Sequence, residues 1–267
     1  MRMYSDGRLR TANRGISMSP DTIQRAARRL IGARTGGDLI EELDADLRPV
    51  TVADAHAIQD ATVALLGESV SGWKVTTSPD GEFVRGVVLA SRVFDSPACV
   101  PAALVPMLAV EVEIAFRFDH DLPARARPYD AAEIAGAVTP FAAIEVVDSR
   151  FRRYADTPVL HRMADCVSNG AFVAGSGPRD WRGLDLSALE VSLAVEGEVI
   201  VRRVGGHPTV DPMLPVVALV NNFRAIDGVR AGQFVTTGTF TGLTRVRAGE
   251  SVAGSFAGFG SVQLTFV

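Results

Sequence analysis

The rhythm of apolar and polar positions changes near residue 70. Up to about Gly67 it is helical. Ser19-Pro20-Asp21 predicts an N-cap with proline in the first turn, opening a helix from Asp21 to Arg34 that Gly36-Gly37 ends. Leu39–Leu47 predicts a short acidic helix. A third starts at Thr51 or Asp54, with Ala57, Ile58, Ala61, Leu65 and Leu66 close to one stripe. After Gly72 the chain runs in short β-type segments separated by Gly, Pro and Asp: VVLASRVF, LAVEVEIAFRF, FAAIEVVDSRF, GAFVAG, LEVSLAVEGEVIVRRV, GQFVTTGTF and the C-terminal stretch from Glu250. One further helix, Pro212 to Ile226, interrupts them. Long strand runs with few intervening helices argue against a doubly wound sheet. The pattern predicts an α+β protein, with a helical portion over residues 19–70 packed on a mixed β-roll or barrel-like core over 71–267. Residues 1–18 read as a polar, disordered tail.

Composition narrows the function. The 267 residues are 47% hydrophobic and 22% charged, as in an ordinary globular protein. A net charge of −4 argues against a partner bound by phosphate neutralisation, so no nucleic acid is expected. Cys99 and Cys166 are too few for a disulfide framework and suit a reducing compartment. The N-terminus lacks the apolar core of a secretory signal, and the longest apolar stretch, Ala98 to Val110, is broken by Pro101 and Pro106. No membrane association and a cytoplasmic location are therefore expected. One count stands out: Lys and Arg number 27, yet Lys74 is the sole lysine. Arginine substitutes for lysine as a surface charge but not as a compact ammonium with an adjustable pKa, so Lys74 is a candidate for chemistry.

Within LAVEVEIAFRF, residues 108, 110, 112, 114, 116 and 118 share one apolar face, while Glu111, Glu113 and Arg117 share the other. Carboxylates two apart on a strand point the same way and can converge on a hard divalent cation. The same alternation also describes a half-exposed strand with a polar outer face. Glu145 is more specific: it lies inside the apolar run FAAIEVV, where a carboxylate needs a cation, a proton or a metal to offset desolvation. Arg150 is the local partner for Asp148 and leaves Glu145 without one. Gly72-Trp73-Lys74-Val75 opens the first β segment, and burial there is expected to lower the Lys74 pKa toward values useful for proton transfer. The stretches from Asp165 to Gly170 and from Thr236 to Thr239 are polar strand ends that fit turn chemistry as well as ligand binding. The four histidines have no ligand or triad spacing, and no GxSxG, Walker or Rossmann fingerprint is present.

Taken in order, VADAHAIQD, GWKV, EVEIAF, AIEVVDSRF, SNGAFVAG, TTGTFTG, RAGESV and GFGSV resemble the 2-keto-4-pentenoate hydratase and 4-oxalocrotonate decarboxylase family, within the fumarylacetoacetate hydrolase-like superfamily. The resemblance spans residues 20 to 267 and implies a single catalytic domain over 19–267, with a core of the fumarylacetoacetate hydrolase C-terminal type. It places Glu111, Glu113 and Glu145 on the metal ligands for Mg²⁺ or Mn²⁺, Lys74 on the active-site lysine, and Ser168, Thr237 and Thr239 near substrate-binding positions. The implied partner is a small 2-oxo or 2-hydroxydienoate acid, the implied assembly a homo-oligomer, and the implied reaction hydration of the dienoate to a 4-hydroxy-2-oxo acid in aromatic catabolism. Decarboxylation of an oxalocrotonate-like diacid, C–C hydrolysis and a non-catalytic partner subunit remain alternatives. Two stretches depart from the family pattern. Val84-Arg85-Gly86 lacks an acidic residue common before that glycine, and Cys166 and Asn169 replace an Asn and a Ser of the ADNASSG-like motif.

Overall fold

The computed structural model of the chain describes residues 15–78 and 80–267. Residues 1–14, most of the expected tail, lie outside them. Its last residues are pinned: Ser17 and Met18 donate their backbone amides to Asp54 Oδ1 at 2.7 and 3.0 Å.

Helix α1 (Pro20–Gly36) starts where the sequence predicts. Ser19 is the cap, its hydroxyl accepting from Thr22 N, and Gly37 ends the helix in the left-handed region. Helix α2 (Val52–Leu66) is opened by a capping box between Thr51 and Asp54 and closed by Gly67. The acidic helix expected over Leu39–Leu47 is not formed. Only Ala45–Leu47 makes a 3₁₀ turn, and Ile40 instead pairs with Phe151, with Ile40 N donating to Arg150 O at 2.9 Å and Arg152 N donating to Ile40 O. Buried Ile40 and Leu43 are better served by that extended tie than by one short helix.

The strands follow as β1 (Val70–Thr77), β2 (Phe83–Leu89), β3 (Val93–Asp95), β4 (Ala98–Val100), β5 (Ala109–Phe118), β6 (Val138–Val147), β7 (Asn169–Ala174), β8 (Glu190–Val195), β9 (Glu198–Val204), β10 (Phe234–Thr239), β11 (Thr244–Arg245), β12 (Ser251–Phe256) and β13 (Gly260–Phe266). Glu196-Gly197 is the hairpin turn between β8 and β9, both residues at positive φ. Two short helices, α3 (Ala131–Gly136) and α4 (Val159–Ala164), escape the sequence pattern. They are too brief to show a 3.6-residue period. The last helix, α5 (Met213–Phe223), stops before the expected Ile226.

An eight-stranded mixed sheet runs β2-β1-β10-β5-β6-β7-β3, with β11 added beside β5; a five-stranded sheet runs β4-β13-β12-β8-β9. The larger sheet curls strongly. Phe172 on β7 stacks on Phe234 of β10 at 4.3 Å, although β5 and β6 lie between their strands. The outer face of the curl carries Val110, Val112, Ile114 and Phe116 of β5 against Val252, Phe256 and Val262 of the smaller sheet and Val216 and Leu219 of α5, forming the main core. A second cluster joins α1 and α2 to Val84 of β2 and Met163 of α4. The inner face is different. It holds an apolar plug of Val88, Ala115, Phe141, Phe172 and Phe234, and beside that plug the polar residues singled out above. The expected barrel-like α+β architecture is the one observed. No helix among the described residues is long and apolar enough to cross a membrane.

Candidate active site

Strand register assembles the polar cluster. Glu111 of β5 stands directly opposite Glu145 of β6, and Glu113 follows two residues on, so all three carboxylates share the inner face. Lys74 of β1 pairs in register with Thr236 of β10, which in turn pairs with Ala115 of β5. Strands β1, β5 and β6, with β10 between the first two, thus deliver one ammonium and three carboxylates to one patch. One oxygen from each of Glu111, Glu113 and Glu145 lies within 4.8 Å of the others.

Burial separates their roles. Glu113 and Glu145 are fully buried, whereas the Lys74 and Glu111 side chains keep 13% and 12% exposure and face the way in. The half-exposed strand is thereby ruled out for β5: its glutamate face looks into the curl, and only Arg117 at the end of that face is open to solvent. Lys74 Nζ lies 2.6 Å from Glu145 Oε2 and 3.5 Å from Glu111 Oε2. Asn169 Nδ2 donates to Glu145 Oε1 at 3.1 Å. Glu145 therefore does have partners, but none is near it in sequence.

Glu113 is held by a device that the sequence pattern does not reveal. Between Thr236 and Thr239 the register of β10 against β5 slips by one residue, a bulge in which Gly238 takes φ +119°. The bulge turns both the Thr236 hydroxyl and the Gly238 N–H onto Glu113 Oε2, the latter at 3.0 Å. Glu113 Oε1 is left buried without a hydrogen-bond partner. Of the residues expected near substrate, Thr237 donates its hydroxyl to Ile114 O at 2.7 Å, and Thr239 Oγ1 accepts from Gly242 N at 2.9 Å. These two shape the bulge and its turn. Ser168 Oγ is buried and unpartnered. Thr236 and Asn169 are the contacts missed as site residues, because a threonine or asparagine at a strand end reads as turn chemistry.

The electrostatics follow from three negative groups facing one positive one. Burial, then the Glu145 charge, push the Glu113 carboxyl up to about 8, partly opposed by Lys74. Glu145 is also raised, burial outweighing the help of Lys74. The Lys74 expectation is corrected in sign: burial alone lowers an ammonium, but Glu145, Glu111 and Glu113 outweigh it and hold Lys74 above its ordinary value. A buried oxygen without a partner, a surplus of negative charge and all-oxygen donors fit a hard divalent cation. Arg85, which occupies the departing Val84-Arg85-Gly86 segment, stands opposite Val75 and so faces away from Lys74. Its guanidinium grips Asp60 of α2 at 2.6 and 2.8 Å.

Comparison with known proteins gives concordant results. The chain is 34% identical to a 2-keto-4-pentenoate hydratase of Burkholderia vietnamiensis, the alignment covering 93% of this chain and 99% of that protein. It is 32% identical to another of the same name from Paraburkholderia phymatum, with the same coverage. A 4-oxalocrotonate decarboxylase of Pseudomonas putida is 31% identical, but over only 46% of this chain and 47% of that protein. No family model matches the chain. Among solved structures, 4-oxalocrotonate decarboxylase from Pseudomonas putida G7, complexed with calcium and acetate, superposes with a TM-score of 0.79 at 20% identity, covering 95% of this chain and all of that one. A fumarylacetoacetate hydrolase family protein from Yersinia pestis superposes with a TM-score of 0.53 over 75% of this chain and 94% of that one, at 19% identity.

Proposed function

The chain belongs to the 2-keto-4-pentenoate hydratase family, and from that premise we propose that it is a metal-dependent hydro-lyase that adds water to a 2-hydroxy-2,4-dienoate, giving a 4-hydroxy-2-oxo acid in aromatic catabolism. The observation that carries this reading is the convergence of Glu111, Glu113 and Glu145 beside Lys74 on the inner face of the curled sheet. The three carboxylates hold the cation, Mg²⁺ or Mn²⁺, and the structural neighbours complexed with calcium and with magnesium support a divalent ion. When bound, such an ion acts as a Lewis acid toward the carboxylate and 2-oxygen of the substrate.

The protein's own groups do the rest. Lys74 Nζ, one of the two partly exposed charged groups of the cluster, meets the incoming acid first and neutralises its charge. Its ammonium, kept protonated by the three carboxylates, then gives a proton to C5 and takes back the one that the 2-hydroxyl releases as the dienol becomes a ketone. Water oxygen next bonds to C4 and a proton enters at C3. Ser168 Oγ, buried without a partner, is the hydroxyl available to the substrate carboxylate. Asn169 keeps Glu145 oriented, and the β10 bulge keeps Glu113 Oε1 free. The partial likeness to a decarboxylase supports a second reading, loss of CO₂ from a related diacid. Unpaired Cys99, exposed, suits a cytoplasmic enzyme. The family resemblance supports a homo-oligomer, which light scattering tests.

Loss of dienol absorbance on adding Mg²⁺ or Mn²⁺, abolished by EDTA and by Glu111→Gln, is the expected result. Metal-independent turnover defeats the reading, and CO₂ release in place of hydration replaces it with the second.

A further inference from the structure

Three consecutive residues without a glycine among them, Cys166, Val167 and Ser168, take φ of 53°, 53° and 58°. Side chains disfavour this left-handed region, a β-branched one like Val167 most of all, so such a run persists only where its surroundings over-determine it. The run delivers two groups to the carboxylate cluster: Ser168, whose hydroxyl is buried and unpartnered, and Asn169, whose amide donates to Glu145 Oε1 at 3.1 Å.

One side chain holds both ends of it. Arg150, 3% exposed, donates Nε to Asp165 Oδ1 at 2.6 Å and Nη2 to Asp165 O at 3.3 Å on the entering side. On the leaving side Nη2 donates to Asn169 O at 3.1 Å, and Nη1 reaches Asp148 Oδ2 at 3.3 Å. Arg34 of α1 adds a second cation 3.7 Å from Asp165 Oδ1, so two arginines and two aspartates balance in the interior. From the opposite side the turn is braced by β2, where a Cβ at Gly86 would meet Cys166 O at 2.4 Å. Gly86 is itself the register partner of Lys74. The turn therefore cannot relax toward β2, and Arg150 keeps it from opening the other way.

We propose that Arg150 is a positioning residue for the metal site, clasping the left-handed turn at Asp165 and Asn169 so that the Asn169 amide fixes the Glu145 carboxylate. The proposal rests on the function proposed above and concerns a residue three positions beyond the end of β6, well outside the three carboxylates. Planar, multi-pronged donation is what the geometry uses, and lysine keeps the charge but not the fork. Partners that orient a ligand in this way typically cost 10- to 100-fold in metal affinity when removed.

The test is Mn²⁺ binding to the whole protein by titration calorimetry, alongside thermal melting, for wild type, Arg150→Lys, Asn169→Ala and the double variant. Arg150→Lys is expected to stay folded and to bind Mn²⁺ at least 10-fold more weakly. Asn169→Ala should lose a similar factor, and the double variant should lose no more than the worse single one, because the two act in series. If Arg150→Lys does not fold, Asp165→Asn takes its place, weakening the same clasp with the same expectation against Asn169→Ala. Melting lowered with Mn²⁺ affinity unchanged makes Arg150 purely structural and overturns the proposal, as do losses that multiply in the double variant. A wild-type protein that binds no Mn²⁺ overturns the metal-dependent function and this proposal with it. Wild-type binding with an unaffected Arg150→Lys overturns this proposal alone.

Discussion

Glu111 and Glu145 are direct cross-strand partners on β5 and β6, carboxylate facing carboxylate, with Lys74 Nζ 3.5 Å from one and 2.6 Å from the other. Like charges directly opposite on a sheet are destabilising, and here Glu113 adds a third negative group. The arrangement is unfavourable for the empty fold and suits a fold that binds a dication. Binding to the native state alone stabilises by about 2.7 kcal/mol at a hundred times the dissociation constant.

The first prediction joins metal and pH through Glu113. Its carboxyl is raised to about 8 by burial and by Glu145, so the folded metal-free protein holds that proton more tightly than the unfolded chain does. The resulting stability is complete below about pH 4.5 and is lost as the pH rises through about 8. Urea midpoints of the metal-free protein should fall between pH 5.5 and 8.5, and Glu113→Gln should flatten that slope. Mn²⁺ should raise the wild-type midpoint at pH 8 but not that of the variant. A rising midpoint without metal would contradict the sign.

Lys74→Arg should retain the charge and the fold yet lose activity by about 100-fold or more, the usual share of a positioned proton carrier. The planar guanidinium does not reproduce a compact ammonium 2.6 Å from Glu145. Lys74→Met removes the cation from a buried group of carboxylates and should destabilise the metal-free protein by about 3–5 kcal/mol. Melting curves and steady-state rates separate the two variants. Normal turnover by Lys74→Arg would mean that the lone lysine has no role in the reaction.

These outcomes depend on side chains that sequence reading brought close to one another only in part. The apolar run around Glu145 announces that a cation must reach it, and alternation puts Glu111 and Glu113 on one face. Neither says that Lys74 is that cation, because strand order β1-β10-β5-β6 arises from long-range pairing. For the same reason the Lys74 pKa takes the wrong sign from local context, which shows its burial but not its three carboxylates. The Thr236–Thr239 bulge and the left-handed turn at Cys166–Ser168 are backbone choices imposed by Glu113 and by Arg150, and no glycine or proline marks the second. The helices α1 and α2 were legible to within a residue or two because their caps are local chemistry.

His56 of α2 should make the protein acid-sensitive. Burial, then the nearby Arg85 charge, lower the imidazole to about 3, and His56 Nε2 accepts from Arg85 N at 3.1 Å. A depressed histidine contributes stability above its ordinary value of 6.5, lost progressively as the pH falls toward 3. At pH 4.5 the cost is about 2 kcal/mol, after discounting for a half-buried ring. Urea unfolding at pH 7.5 and 4.5 measures it. His56→Gln, which keeps an acceptor without the proton, should lose less between the two pH values than wild type.

Gln59 joins the helical portion to the barrel seam. Fully buried, it donates to Arg85 O at 2.8 Å and Met163 O at 2.6 Å and accepts from Val87 N at 3.1 Å, bracketing Gly86 on the free edge of β2. Gln59→Leu leaves three backbone groups without partners. At about 1–3 kcal/mol each, partly recovered by relaxation, the expected loss is about 3 kcal/mol. Equilibrium unfolding gives the value directly, and a loss below about 1 kcal/mol would show that the β2 edge is satisfied in another way.

Arg85 provides the contrasting case. The sequence marks it as a departure near the active-site lysine, which invites a role in substrate choice. The register places it on the face of β2 opposite to the Lys74 side, with its guanidinium on Asp60 and 5.7 Å from the centre of the Phe223 ring. Asp60 is largely exposed, so the ion pair contributes at most about 1 kcal/mol, and the cation–π contact adds a similar amount. Arg85→Ala should therefore lower stability by about 1–2 kcal/mol while kcat and KM stay within twofold of wild type. A KM raised tenfold with stability unchanged would instead put Arg85 in reach of the substrate, and would require β2 to rotate its faces when the substrate binds.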